Sequence, residues 1–328
     1  MNLEQYGFRE PPFRMTPDVR LFFPSTAHGR AYAHLLYGLS QREGFVVVTG
    51  EVGSGKTTLI ERLCAEFAAK DHAMARVMTT QVDPVELLRL VAIAFGVPAG
   101  GGKAELLEGI IAALRRGVAE RGRRHVLIVD EAQALPVASL EELRMLSNVT
   151  EGARALLQVL LLGQPQLRHT LARPDLDQLR QRVLAAYHLA ALTREETHLY
   201  VRHRMTSVGW TGYPAWEDAA LDLVHEHSGG IPRRINRLCA RVLVAGALEH
   251  AAVLTAELVS VTADELSQDL GAICAEAPPP ESQEDRTTTL RTLTERLGQL
   301  ERTLGNREPP PRRLRKLWAP FAILGGRP

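Results

Sequence analysis

An excess of either charge sign is missing from this chain of 328 residues, in which 39 Lys and Arg stand against 38 Asp and Glu for a formal net charge of +1. That balance gives no global electrostatic attraction to nucleic acid or to an anionic membrane. Cysteine is scarce, with only Cys64, Cys239 and Cys274. They lie far apart without metal-ligand spacing, which argues against a disulfide framework or a cysteine-based metal centre. Cys64 and Cys239 fall inside helical apolar patterns and read as buried small hydrophobes in a reducing compartment. No apolar run approaches the roughly 20 residues of a spanning helix. The opening MNLEQYGFREPPF lacks a basic segment followed by an apolar one, so no signal peptide is expected. These absences together point to a cytoplasmic protein.

What is present is the composition of a soluble protein with a substantial core, 45% apolar and 23% charged, in a chain long enough for two domains. Residues 1 to 24 concentrate aromatics and proline (Tyr6, Phe8, Pro11, Pro12, Phe13, Pro17, Phe22, Phe23, Pro24), as suits an ordered arm lying on a domain. A helix is predicted from about 27 to 41. Strand-like and helix-like segments then alternate: FVVVTG (45–50), a helix from Lys56, ARVMTT (75–80), a helix from Pro84 to Phe95, a helix over 104–120, HVLIVD (125–130) and LLQVLLLG (156–163). Asp83 caps the third of these helices, with Pro84 in its first position, Glu86 following and Gly96 closing it. Ser139 with Glu142 has the spacing of a further capping box. Alternation of this kind predicts an α/β fold, a parallel sheet with helices on both faces.

From Thr193 strand signals vanish. Thr193 and Glu196 form another capping box, Gly229 and Gly230 break the chain, and Pro232 opens a helix with Ile235, Leu238 and Val242 at helical spacing. The expected organisation is an α/β domain with its arm over 1–192 and an all-helical domain over 193–270. A proline-rich acidic linker over 271–289, a short amphipathic or coiled-coil helix over 290–305 and a basic, apolar tail over 306–328 follow. The helix at 290–305 is marked by Leu290, Leu293, Leu297, Leu300 and Leu304. In the tail, RRLRKLWAPFAIL (312–324) sets four cations beside apolar residues, a composition suited to the surface of an anionic membrane and equally to a plain solvated tail.

Chemistry is concentrated in two stretches. GEVGSGKTT (50–58) matches the phosphate-loop pattern in full, after an apolar strand and before a helix. Gly50, Glu51, Val52, Gly53, Ser54 and Gly55 would turn backbone N–H groups toward phosphate oxygens, and the following helix would add the positive end of its dipole. Lys56 would reach the β- and γ-phosphates, Thr57 would place its hydroxyl on Mg²⁺, and Thr58 continues the loop. Downstream, HVLIVDEAQ (125–133) ends a buried strand in two adjacent carboxylates. Asp130 would hold Mg²⁺, and Glu131 would orient and polarise the attacking water. The pair predicts hydrolysis of ATP, because a protein that only binds nucleotide has no use for Glu131.

The ordered set formed by the phosphate loop, DEAQ, LLLGQP, LRQRV and GGIPRRINRL, with YGFREPPFRMTPDVRLFF ahead of it, resembles the AAA+ ATPases of the general-secretion component A (ExeA-like) family. The likeness is strongest to the subfamily encoded at exosortase (PEP-CTERM) loci for exopolysaccharide production, and it runs from residue 1 to about 270. It implies a P-loop AAA+ fold with a helical lid, and it gives roles to further residues. Gln164 stands where the family places a polar sensor of the γ-phosphate, although Asn, Thr or Ser is more usual there. Arg182, with Arg180 as the alternate, would be the arginine finger reaching a neighbouring subunit's ATP. Arg233 would be the second sensor on the lid, and Pro12 and Phe13 would pack near the adenine or in the core. A homo-oligomer, ring-like or otherwise, and a partner in envelope assembly, polysaccharide export or secretion are implied as well. A DNA-associated ATPase and a nucleotide-controlled assembly scaffold are the alternatives; no distinct DNA-reading module is evident.

Overall fold

The computed structural model describes residues 6–16, 18–68, 72–78, 82–122 and 124–275. The expected linker from 271 is helical up to 275, within the last helix of the chain's described part, and its remainder, the leucine repeat at 290–304 and the tail at 312–324 lie outside these residues. Through the first part of the chain the elements run α1 (Thr26–Ser40), β1 (Phe45–Gly50), α2 (Lys56–Ala68), β2 (His72–Met78), α3 (Pro84–Ala94), α4 (Lys103–Arg121), β3 (Arg124–Asp130) and α5 (Val137–Ser147). They continue with β4 (Thr150–Glu151), β5 (Arg154–Ala155), β6 (Leu157–Gly163), α6 (Gln166–Leu171), α7 (Asp177–Arg180) and β7 (Val183–Leu189). Strands β2, β3, β6, β1 and β7 form, in that order, a five-stranded parallel sheet, as the alternation predicts.

Burial follows position in the sheet. The inner strands β1 and β6 are buried throughout and β3 nearly so, which is why their sequences are continuous apolar runs. Helices α3, α4 and α5 cover one face through Leu87, Leu88, Ile110 and Leu140, and α1 and α2 cover the other through Leu35, Leu59, Ile60 and Leu63. Parallel register brings the ends of β1, β3 and β6, at Gly50, Asp130 and Gly163, to one edge, where ligands of such sheets are bound.

The helical part comprises α8 (Arg194–Ser207), β8 (Ala215–Trp216), α9 (Asp218–Ser228), α10 (Pro232–Leu248), β9 (Val253–Leu254) and α11 (Ala256–Ala275). Thr193 caps α8 reciprocally with Glu196. The same Glu196 carboxylate also accepts the N–H of Thr26 at the start of α1, at 2.8 Å.

Four features differ from expectation. β7 carried no clear strand signal, because this edge strand alternates exposed residues such as Leu184 with the small Ala185. The helical part is not purely helical: the approaches to α9 and α11 run side by side and pair as β8 and β9. Ser139 does not start α5; Pro136 is its N-cap, and the buried Ser139 hydroxyl, one turn in, donates to the Val82 carbonyl at 3.1 Å. The aromatic arm, grouped by sequence with the α/β domain, buries Tyr6, Phe8 and Phe13 among the lid helices. Arg204 on α8 fixes it there, donating from Nε to the Pro12 carbonyl at 2.7 Å.

Candidate active site

The chain from β1 into α2 is a tight loop whose backbone needs glycine at two points. Gly53 and Gly55 have φ of 82° and 100°, the left-handed region. Each is also closely approached. A Cβ on Gly55 would lie 2.6 Å from His28 Nε2, and one on Gly53 would lie 2.3 Å from the Cβ of Arg233. The loop is therefore held from behind by α1 and in front by the lid, where the Arg233 N–H donates to the Gly53 carbonyl at 3.2 Å. We expect Gly53→Ala to weaken nucleotide binding about tenfold or more, since a shift of about 1.4 kcal/mol suffices and the φ strain alone costs about that much. Titration with a fluorescent ADP, alongside an unchanged far-ultraviolet circular dichroism spectrum, would check it.

Lys56 begins α2 and is buried, and its ammonium donates to the carbonyls of Gly50 at 2.7 Å and Glu51 at 2.9 Å. Burial lowers its pKa, helped by the charge of Arg233 and opposed by Glu131, Asp130 and Glu51. The Ser54 hydroxyl oxygen is buried without a hydrogen-bond partner among the described residues. An orphaned polar atom inside a loop of turned-in N–H groups is what a phosphate oxygen would satisfy. His28 is buried beneath the loop with its Nδ1 2.7 Å from the Ser25 hydroxyl. Its pKa is lowered by burial, against a raising hydrogen bond to the Ser54 backbone.

Asp130 and Glu131 stand at the end of β3. One oxygen of Asp130 accepts the Glu131 N–H at 3.0 Å, and the other accepts Arg76 Nη2 at 2.5 Å. Glu131 has a left-handed φ of 54°, which turns its side chain out of the strand direction. Its Oε2 accepts Gln133 Nε2 at 2.6 Å and Gln164 Nε2 at 3.2 Å. Gln133 Oε1 accepts the Gln164 N–H at 2.9 Å and closes the cluster. Burial pushes the Glu131 carboxyl up, but hydrogen bonds from Gln133 and Gln164 and the charges of Lys56 and Arg233 outweigh it, so the group lies below its ordinary value.

A cleft of about 350 Å³ gathers many of these groups, though Ser54, Gln133 and Gln164 are not among its lining residues. Gly53, Gly55, Lys56, Thr57, Thr58, Asp130 and Glu131 line one side, and Arg233, Tyr200 and Asn236 of the lid line another. Phe22 and Phe23 of the arm supply an aromatic wall; of the two alternatives for Phe13, the core is the one found, with 4% of the residue exposed.

Arg182 is not in this cleft. It precedes Val183, which pairs with Phe45 at the opening of β1, whereas the loop follows Gly50 at the other end. The six residues of β1 put the two about 20 Å apart. Arg182 makes no ion pair among the described residues, while Arg180 pairs with Asp177 at 2.7 Å and donates to the Ala172 carbonyl at 3.3 Å. Gln133, Arg76 and His28 are not among the residues singled out from the sequence. Gln133 closes the quoted DEAQ motif and Arg76 interrupts an apolar strand, both visible signals. Nothing in the sequence marks His28.

Residues 39–171 match a family model described as an AAA domain. The chain is 39% identical over 247 residues to General secretion pathway protein A of Aeromonas hydrophila. That alignment takes in 75% of this chain and 45% of the relative, so the chain spans a little less than half of the relative's length. Among solved structures, the ORC1 protein of Aeropyrum pernix in complex with DNA superposes with a TM-score of 0.62 at 15% identity, over 94% of this chain and 86% of that one. The ADP form of the ORC2 protein of Aeropyrum pernix gives 0.58 at 20% identity, over 79% and 73%. At such identities the structural likeness speaks for the fold alone.

Proposed function

Because the chain belongs to the AAA+ ATPases of the general secretion pathway protein A type, we propose that it binds ATP with Mg²⁺ and hydrolyses it at a site completed by a second copy of itself. The observation that carries this is Glu131, held by Gln133 and Gln164 at the mouth of the phosphate loop and kept ionised there. A carboxylate so placed can accept a proton from an attacking water, and the two amides fix its direction. Gln164 thereby acts on the water through Glu131 as well as facing the γ-phosphate. Lys56 and the N–H groups of residues 50–58 bind the phosphates, Arg233 joins them from the lid, and Phe22 and Phe23 flank the base.

The donor set fits the metal, since Thr57 and Asp130 both line the cleft beside the loop and offer the oxygen ligands Mg²⁺ prefers. Bound there, Mg²⁺ would neutralise phosphate charge as the β–γ bond breaks.

Arg182 is proposed as the finger that serves a neighbour's nucleotide, supported by its distance from its own loop and by the absence of an ion pair to it among the described residues. Energy supply or regulation for secretion, envelope assembly or exopolysaccharide export is the role we propose, with the relative's printed pathway behind it. Peripheral attachment to the inner face of the cytoplasmic membrane through residues 312–324 belongs to the same proposal. Among the described residues no helix is long and apolar enough to cross a membrane. The DNA-associated alternative has no charge excess behind it; salt-dependent stimulation of hydrolysis by DNA would favour it.

The test is ATPase activity per subunit against protein concentration. Activity that rises with concentration from near zero is the expected outcome. A measurable rate that stays flat through dilution into demonstrated monomer would sink the shared site.

A further inference from the structure

Asp130 raises a question that its assignment to a metal leaves open. Only 5% of its side chain is exposed, and an ionised carboxylate at that depth is unfavourable unless cations or donors meet it. Lys56, the cation the motif supplies, is turned to the carbonyls of Gly50 and Glu51. Arg76 meets the carboxylate instead, with Nη2 on Oδ2 at 2.5 Å. Its placement is particular. Arg76 pairs in register with Ile128, two residues short of Asp130 and on the same face of the sheet. The guanidinium therefore runs diagonally across to the neighbouring strand's end. Around the pair that face is built largely from Val126, Ile128, Leu160 and Leu162 against α2. β2 is an edge strand, and the Arg76 side chain is 32% exposed, so it has solvent to move into.

We infer that Arg76 is a placeholder cation. With the site empty it balances the metal-ligating carboxylate, and Mg²⁺ arriving with nucleotide must displace it from Asp130. This rests on the nucleotide-binding role proposed above. Arginine cannot leave by losing its proton, so the exchange requires the side chain to swing away. Two consequences follow from the chemistry. Free Mg²⁺ without nucleotide competes poorly for a carboxylate already paired. The apparent Mg²⁺ affinity of the nucleotide complex is also reduced by the fraction of molecules in which Arg76 still holds the oxygen. Arg76 is a positioning residue here, since it acts through Asp130.

The test uses the full chain with a fluorescent ADP, first bound in EDTA and then titrated with Mg²⁺, together with melting temperature in EDTA without nucleotide. Arg76→Met keeps much of the stem and removes the charge. It should tighten the Mg²⁺ midpoint about tenfold, lower the metal-free melting temperature, and melt close to the parent in Mg²⁺ and ADP. Arg76→Lys keeps the charge with a shorter reach and should tighten the midpoint by about two- to threefold, which decides the matter if the Met variant fails to fold. An unchanged midpoint in a folded variant would reduce Arg76 to a structural ion pair and overturn the inference. A weakened midpoint would also overturn it, by showing that Arg76 helps hold the metal–nucleotide pair. Should the parent bind ADP without any response to Mg²⁺, the metal assignment itself fails and the placeholder with it. A normal parent response with unresponsive variants sinks only the placeholder.

Discussion

Arg182→Ala is expected to lower the turnover number by about 10³–10⁵-fold, the range over which an arginine finger acts, while leaving ATP affinity near that of the parent. The expectation comes from placement. Arg182 immediately precedes β7 at the far end of the sheet from its own phosphate loop and has no ion pair among the described residues. Arginine carries a permanent charge and a planar fork of donors, both suited to the oxygens of a transferring phosphoryl group. Arg180, two residues earlier, is committed to Asp177 and the Ala172 carbonyl, so Arg180→Ala should cost far less. A mixing experiment makes the geometry decisive. Arg182→Ala keeps an intact loop without a finger, and Lys56→Ala keeps the finger without a working loop. Each alone should be silent. Mixed, they should recover a fraction of parent activity, because some interfaces pair the sound half of each. Failure to recover activity from mixtures that demonstrably co-assemble would remove the trans role. A dead Arg180→Ala beside a normal Arg182→Ala would transfer it to the neighbour.

Glu131→Gln is the second large effect: turnover should fall by about 10²–10⁴-fold with nucleotide binding retained, leaving a chain that traps ATP. Glutamine preserves the shape, and its carbonyl oxygen can still accept from Gln133 and Gln164, so the loss would report the charge and not a collapsed site. Equilibrium binding and single-turnover hydrolysis on one preparation would separate the two quantities. The pH profile carries a signed expectation. The folded pKa of Glu131 is below its ordinary value of 4.5, so the carboxylate remains ionised as pH falls until that range is passed. The rate should show no acid limb from Glu131 between neutral pH and that range. A limb near pH 6 that disappears in Glu131→Gln would show that the hydrogen bonds from Gln133 and Gln164 and the charges of Lys56 and Arg233 fail to outweigh burial.

Much of the sheet was legible because β1, β3 and β6 are buried over nearly their whole length and must be apolar throughout. The phosphate loop was legible because a backbone curled around an anion demands glycine at fixed intervals. Elements at the margins were harder. β7 alternates small and exposed residues at the sheet's edge, and β8 with β9 exist only because two loops run together. The aromatic composition of the arm points to burial, but composition could not show that Tyr6, Phe8 and Phe13 would find their partners in the lid. The site divides in the same way. Residues that touch phosphate are constrained by chemistry and show in sequence. Gln133 and Arg76 leave a trace in the sequence, as the end of DEAQ and a charge inside an apolar strand, but their partners, like those of His28, emerge only from three-dimensional neighbours.

Glu196 leads somewhere its role as a helix cap does not suggest. Its carboxylate closes the first turn of α8 and accepts from Thr26 in the first turn of α1. Swinging α8 outward would therefore unseat two helix starts in one stroke, which favours a latch over a graded hinge. Two residues along α1 from Thr26, His28 lies against the back of the phosphate loop. The lid thus has two grips on that loop: Arg233 from the front, and a lever through Glu196 and α1 from the rear. A nucleotide bound between them would be felt on both arms of the lever, and a partner pressing on α8 could move the loop without touching the nucleotide.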